Sequence, residues 1–241
     1  MKIEVWSDFV CPFCYIGKRL LEQALNKFSH NDQVEVLFKS YELDPNGESD
    51  TSLSVDEVLA EKYNMTIEQV KTMNEQVIQK AATVGLNYNF DTMVQTNTLD
   101  AHRLAKYATE AGKGAELAER ILKAHFTESK FIGDKDILTK LAVEVGLDQE
   151  KVKRVLSGND YADAVRADEK EAKQLGVQGV PFFVFNRKYA ISGAQPLDLF
   201  MDTLEKVWSE ENQTSSFEQI NGGEGAVCTD EGCNYLKDKL F

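Results

Sequence analysis

The stretch Lys2-Ile3-Glu4-Val5-Trp6-Ser7-Asp8-Phe9-Val10-Cys11-Pro12-Phe13-Cys14 decides how this chain is read. Its first six residues alternate with the two-residue period of a β-strand. From Phe13 the period changes: Phe13, Ile16, Leu20, Ala24 and Phe28 recur at spacings of three and four, as on one helix face. A Cys-x-x-Cys pair therefore sits where a strand hands over to a helix, a redox-type signal in an α/β context. The unpaired N–H groups of a first helical turn can stabilise a thiolate on Cys11. Pro12 suits the first helical position, where its missing N–H is not needed. Cys14 then lies near enough to resolve a mixed disulfide formed on Cys11. On these residues alone two other readings stay open, half of a zinc site and a pair of inert buried thiols.

Working outward, Gln33 to Lys39 alternates again, with Val34, Val36 and Phe38 on one face, so the first unit reads strand, helix, strand over residues 1–44. Asp44-Pro45-Asn46-Gly47 closes it with a turn. From 52 to 176 the pattern is helical. Ser54-Val55-Asp56-Glu57 and Thr66-Ile67-Glu68-Gln69 both fit capping boxes. Further helices are expected over Leu99–Glu110, over Glu116–Phe126, around Ile137–Val145, after an Asp148 cap and over Tyr161–Leu175. The region reads as a helical insertion plus a connecting helix. Strand character returns at Pro181–Asn186 and Lys188–Ser192, an expected antiparallel hairpin, and Pro196 opens a last helix through Val207. Residues 177–208 thus form a strand, strand, helix half. From Ser209 to about Ala226 the chain is polar and Gly-rich, expected as a loosely packed tail, and residues 209–241 carry a second pair, Cys228 and Cys233.

The chain has 241 residues, with 40 acidic against 27 basic side chains for a formal charge of -13, which argues against nonspecific nucleic-acid binding and docking on anionic membranes. No apolar run is long enough to span a bilayer. The first strand begins at residue 2 and leaves no room for a leader, so a cytoplasmic protein is expected. In a reducing compartment structural disulfides are rare and catalytic ones cycle. No Walker-type loop, dinucleotide fingerprint or aromatic-interleaved basic patch occurs.

Gly179-Val180-Pro181 precedes the Phe-rich strand. A strand-start proline costs no ladder bond, and that is its ordinary reading. With the CxxC after the first strand and the helical insertion, however, the arrangement resembles the thioredoxin-like fold in its DsbA-type form: α/β, a mixed sheet interrupted by helices. Ser7-Asp8-Phe9-Val10-Cys11-Pro12-Phe13-Cys14-Tyr15-Ile16-Gly17, Asn97-Thr98-Leu99-Asp100-Ala101-His102-Arg103 and Gly176-Val177-Gln178-Gly179-Val180-Pro181-Phe182-Phe183 resemble the FrnE-like branch more closely. Some members of that branch also have a C-terminal Cys pair. The resemblance spans about residues 2–208. It implies that Cys11 attacks, Cys14 resolves, and Pro181 is a cis-proline beside them. It further implies that Pro12, Phe13 and Val180 contact substrate. The periplasmic oxidant DsbA has His where Phe13 stands; Phe13 offers no donor or positive charge, so the thiolate is expected to be less stabilised and the pair less oxidising.

For Cys228 and Cys233 three readings stand: an auxiliary redox pair exchanging with the first, a tail-pinning disulfide or passive thiols, and zinc ligation. His102 is by default a satisfied helix-surface or interdomain histidine, with proton transfer to the leaving Cys14 as the functional alternative. His30 and His125 are read as structural, and no metal site is assigned. Trp6, Phe13, Tyr15 and Phe182 to Phe185 are expected near the site, as an apolar rim or as core. Arg103 and Lys106, a turn apart, either meet an acid or lie on a solvated face.

Taken together, these residues indicate a thiol–disulfide oxidoreductase acting on protein cysteines, with no tightly bound cofactor beyond its own redox-active disulfide. Glutathione or another small thiol is the candidate co-substrate. The alternatives are a glutathione-dependent transferase or isomerase of the same superfamily, and a chaperone-like or zinc-binding protein. The helical insertion offers a face for a dimer without requiring one.

Overall fold

Alternation and helical periodicity are realised element by element in a computed structural model, which describes residues 1–47, 49, 52–90, 93, 94, 96–212, 227–229 and 232–234. Strand β1 (Lys2–Ser7) leads into α1 (Pro12–Lys27) and, after a single 3₁₀ turn at Asn31–Gln33, into β2 (Glu35–Ser40). Helices α2 (Val55–Tyr63), α3 (Ile67–Ala82), α4 (Leu99–Glu110), α5 (Gly114–Phe126), α6 (Lys135–Glu144), α7 (Gln149–Ser157) and α8 (Ala162–Gln174) follow. The chain then forms β3 (Phe182–Phe185), β4 (Tyr189–Ser192) and α9 (Leu197–Asn212), with a short hairpin, β5 (Val227–Thr229) and β6 (Gly232–Asn234), beyond.

The main sheet has the order β2-β1-β3-β4, with β1 parallel to β2 and the other neighbours antiparallel. The two-residue period sorts its faces. Ile3, Val5, Phe183, Phe185 and Ile191 share one core with Leu21 and Ala24 of α1 and Phe200 and Leu204 of α9. The alternate residues Trp6 and Val184 join Ala172 of α8 and Val177 just beyond it on the opposite face. Each large side chain so buried contributes about 1.5–3 kcal/mol. Charge fixes α8 to this second face. The buried Asp168 accepts the Ser40 N–H at 2.7 Å and pairs with Lys39 and Lys106, while its own carbonyl accepts the Trp6 indole N–H at 3.0 Å.

Both capping boxes form: Ser54 caps α2 and Thr66 caps α3, each returned by the residue at the third helical position. Asp148 caps α7 through the Lys151 N–H. Three expectations need correction. Gln33 and Val34 precede β2, because the 3₁₀ turn uses Gln33 to bond back to His30. Ser209 to Asn212 continue α9 instead of opening the tail, since Glu210 accepts the Tyr189 hydroxyl at 2.6 Å and pairs with Lys188, and Glu211 faces the N-terminal ammonium at 3.6 Å. Of the two readings of Arg103 the solvated one falls and the acid one holds: it is 2% exposed, pairs with Asp100 at 2.6 Å and donates to the carbonyls of Val155, Gly158 and Asp160, satisfying the end of α7 and the turn into α8. Residues 213–226 lie outside the described residues, and so do the side chains of Cys228 and Cys233.

Candidate active site

Cys11 is the N-cap of α1, with extended backbone, and Pro12 occupies the first helical position. The Cys14 N–H, at the third, donates to the Cys11 carbonyl at 3.0 Å, which closes the first turn and brings the two sulfurs to one helix end. Tyr88 holds that turn from the insertion, its hydroxyl donating to the Pro12 carbonyl at 2.7 Å. Both thiols are free and buried, Cys11 at 5% and Cys14 at 2% exposure. Phe13, between them, is 38% exposed, with the Lys80 ammonium 5.4 Å over its ring.

The loop before β3 approaches from the other side. The Val180–Pro181 peptide bond is cis, and the Cys11 thiol donates to the Val180 carbonyl at 3.5 Å. Gly17 makes the approach feasible: a Cβ there would stand 3.0 Å from both Pro181 and Phe183 ring atoms. The Cys11–Cys14 pair and the Val180–Pro181 pair, more than 160 residues apart in the chain, are thereby gathered at one point.

Cys14 points inward. Burial, above all, and then its hydrogen bond to Cys11 and that neighbour's charge hold its thiol well above the usual range; hydrogen bonds from Ser7 and the Asp8 N–H pull the other way. The Asp8 N–H lies 3.4 Å from Cys14 Sγ. The Asp8 carboxylate is itself buried, accepting the Leu43 N–H at 2.8 Å and meeting His102 Nε2 at 3.2 Å. His102 is thus neither on a surface nor solvated. It is 2% exposed, its ring 4.8 Å from that of Phe9. His125, also buried, has its imidazole pushed down to about 4 by desolvation, against the charge of Asp8 and a bond to the Lys130 backbone.

Beside Cys11, Pro12 and Phe13 opens a cavity of about 620 Å³. Its walls are Val55, Val58 and Leu59 of α2, Met73 and Val77 of α3, then Phe90, Met93, His125 and Phe126, with Lys62 and Lys80 among its lining side chains. These apolar residues of the insertion are what the sequence reading missed. Their signal was present as the inner faces of two short amphipathic helices, but helical spacing does not say what a face looks onto. Of the aromatics read as rim or core, Trp6, Tyr15, Phe183 and Phe185 are core residues, and of that group Phe13 alone lines the cavity. Among the described residues no group of three His, Cys, Asp or Glu could hold a metal ion, and no helix is long and apolar enough to cross a membrane.

The model of the DsbA-like thioredoxin domain matches residues 2–205. The chain belongs to that family. It is 35% identical over 214 residues to the uncharacterized protein YwbO of Bacillus subtilis (strain 168), covering 88% of this chain and 97% of that one. Among solved structures, a "probable DsbA oxidoreductase" from Streptomyces coelicolor superposes with a TM-score of 0.83 at 38% identity, over 97% of this chain and 98% of that chain. The cytosolic disulfide reductase DsbM from Pseudomonas aeruginosa, with GSH, shares the fold at a TM-score of 0.60 and 19% identity, over 86% of this chain and 98% of that chain. The DsbA-like, thioredoxin-type architecture with a helical insertion is therefore that of this chain, and its family is one of thiol–disulfide oxidoreductases.

Proposed function

We propose that this DsbA-like protein exchanges a Cys11–Cys14 dithiol or disulfide with cysteines of protein substrates. The observation that carries this is the attacking position of Cys11, capping α1 while lying 3.5 Å from the Val180 carbonyl beside the cis Pro181. In the reductive direction the Cys11 thiolate attacks one sulfur of a substrate disulfide and the other leaves as thiolate. The Cys14 thiolate then attacks Cys11 Sγ, closing the Cys11–Cys14 disulfide and expelling the second substrate thiolate, so two electrons pass from enzyme to substrate. The reverse sequence oxidises a substrate dithiol. Val180 offers backbone groups to an extended peptide, and the exposed Phe13 with Pro12 offers an apolar edge. In the cytoplasm, where thiols are kept reduced, the reductive direction would prevail.

Cys228 and Cys233 are proposed as an auxiliary pair that exchanges with the first. In support, they stand directly opposite each other across the β5–β6 hairpin. Opposed residues of antiparallel strands have Cα separations of about 4.5–5.5 Å, inside the range a disulfide spans. A small thiol such as glutathione is the proposed partner that restores the starting state. A second reading, glutathione-dependent transfer or isomerisation of a small apolar molecule, is favoured by the large cavity beside Cys11.

The test is equilibration in graded glutathione buffers with thiol trapping and mass mapping, alongside a Cys14→Ser variant. Redox exchange predicts a Cys11–Cys14 disulfide that titrates with the buffer, and a stable mixed disulfide on Cys11 in the variant. If the pair never cycles while a small molecule is turned over with glutathione, the second reading replaces the first.

A further inference from the structure

Exchange begins with a thiolate on Cys11, and the present inference rests on that reading. In the thiol form Cys11 spends its proton on the Val180 carbonyl, at 3.5 Å. A thiolate has no proton to donate and must find donors at the start of α1. An N-cap side chain accepts from the second or third helical N–H. Pro12 has no N–H, and the Cys14 N–H is spent on the Cys11 carbonyl at 3.0 Å. The Phe13 N–H, at the second helical position, is the donor this leaves. The Phe13 side chain offers no donor and no charge, so stabilisation falls to its peptide group.

That N–H belongs to the same peptide unit as the Pro12 carbonyl, and the Pro12 carbonyl is where the Tyr88 hydroxyl donates, at 2.7 Å. The Tyr88 O–H, the Pro12 C=O and the Phe13 N–H therefore form one line of dipoles whose positive end faces the start of the helix. Hydrogen bonds linked in this way polarise one another. We propose that Tyr88 is a positioning residue for Cys11: by bonding the Pro12 carbonyl it strengthens the Phe13 N–H as a donor and stabilises the Cys11 thiolate. The helical insertion thereby sets the reactivity of a thiol carried by α1. The hydroxyl is firmly aimed. Tyr88 is 4% exposed, its ring stacks on Phe126 at 4.7 Å and meets the edge of Phe90 at 5.9 Å, and the next residue, Asn89, donates its N–H to the Phe126 carbonyl at 2.8 Å. Burial, and after it the charge of Cys11, hold the phenol well above its usual range, so it stays a donor wherever Cys11 titrates.

The other titratable groups around this turn leave that role to Tyr88. His125 of α5, across the cavity, is pushed down to about 4 by burial and is uncharged near neutrality. Lys62 of α2 faces Asp44 at 3.9 Å, and Lys80 of α3 lies over the Phe13 ring at 5.4 Å. Arg19 of α1 is bound by Glu22 and by Glu119 of α5, and the Tyr15 hydroxyl also donates to Glu119, at 2.6 Å. Asp8 is turned to His102, at 3.2 Å. Cys14 stands beside Cys11 and is held neutral by burial. Tyr15 supplies an internal control: its ring lies 6.1 Å from that of Tyr88 in the same aromatic stack, but its hydroxyl points at Glu119 and not at the first turn of α1.

The experiment titrates Cys11 in the full-length chain carrying Cys14→Ser, Cys228→Ser and Cys233→Ser, so that Cys11 is the one thiol left. The rate of alkylation by iodoacetamide is followed against pH, and its midpoint is read. Tyr88→Phe should raise that midpoint by about 0.3–0.5 pH units, a two- to threefold loss of acidity. Tyr88→fluorotyrosine, a stronger donor of nearly the same shape, should lower it, and Tyr15→Phe should leave it in place. With all four cysteines present, reduced protein and glutathione disulfide are equilibrated with protein disulfide and two glutathiones, above the Cys11 midpoint. Tyr88→Phe should move this balance toward the protein disulfide by about the same two- to threefold, since the reduced form loses thiolate stabilisation. A midpoint that stays put in Tyr88→Phe would overturn the proposal, and so would one that moves equally in Tyr15→Phe or in the same direction with fluorotyrosine. The titration needs no turnover, so a Cys11–Cys14 pair that never cycles with glutathione would sink the exchange reading and leave the Tyr88 result to stand or fall by itself.

Discussion

Replacing His125 by Phe should flatten the acid limb of the stability curve. His125 lies in the last turn of α5, buried against the cavity beside Cys11. Desolvation holds its imidazole down to about 4 from the ordinary 6.5. As pH falls, the unfolded chain takes up this proton near 6.5, whereas the folded chain does so only near 4. Between those values the unfolded state binds more protons, so stability rises with pH. The contribution is intact above 6.5 and is lost on acidification toward 4. At about 1.4 kcal/mol per pH unit, the loss reaches roughly 3 kcal/mol near pH 4. The assay is urea unfolding of both proteins at intervals from about pH 7 to about pH 4. His125→Phe also breaks the bond to the Lys130 backbone, but that cost is an offset, not a slope. The wild type should lose roughly 3 kcal/mol more than the variant across the interval. Parallel curves would show that His125 protonates as easily folded as unfolded, and the account of the buried wall of the cavity would fail.

Two further substitutions probe how the site is held. Gly17→Ala adds about 1 kcal/mol of helix propensity but drives a methyl group against Pro181 and against Phe183, which is fully buried and packed on Phe200 at 4.9 Å. Overpacking costs about 1–3 kcal/mol, so a net loss of stability is expected together with slower exchange at Cys11; a stabilised variant with unchanged exchange would contradict it. Arg103→Lys replaces a planar fork by a point charge and leaves the buried Val155 carbonyl at the end of α7 unpaired, at about 1–3 kcal/mol, besides the half-buried bond to Gly158. A fall in Tm of roughly 5–10 °C is expected by calorimetry, and an unchanged Tm would mean that those carbonyls are satisfied otherwise.

The local elements could be read in the sequence because they obey local rules. Alternation placed β1, β3 and β4, the Ser54 and Thr66 boxes placed two helix starts, and Cys11-Pro12 marked the start of α1. The errors fell where the cause was remote. Ser209 to Asn212 look like tail by composition, yet pairing with Lys188, Tyr189 and the N-terminus keeps them helical. Arg103 could equally be a solvated cation or an acid's partner by spacing, and Asp100 with three carbonyls from the α7–α8 turn decides it.

The site divides along the same line. Two cysteines two residues apart at a strand-to-helix junction can do little else than share one helix end, so the sequence by itself determined where the pair sits. Which groups surround that dithiol is a matter of long-range approach. Val180 reaches Cys11 because Gly17 lets the strand loop close on the helix. His102 reaches Asp8 because α4 packs beneath the β1–α1 junction, and α2 and α3 turn their apolar sides onto Cys11 to form a cavity. Periodicity states that a face is apolar and spacing states that two residues are neighbours, but only burial among particular partners sets a proton's affinity or the shape of a cavity. For that reason the place of Cys11 at the start of α1 was legible from the chain, and the environment of Cys14 was decided by the tertiary structure.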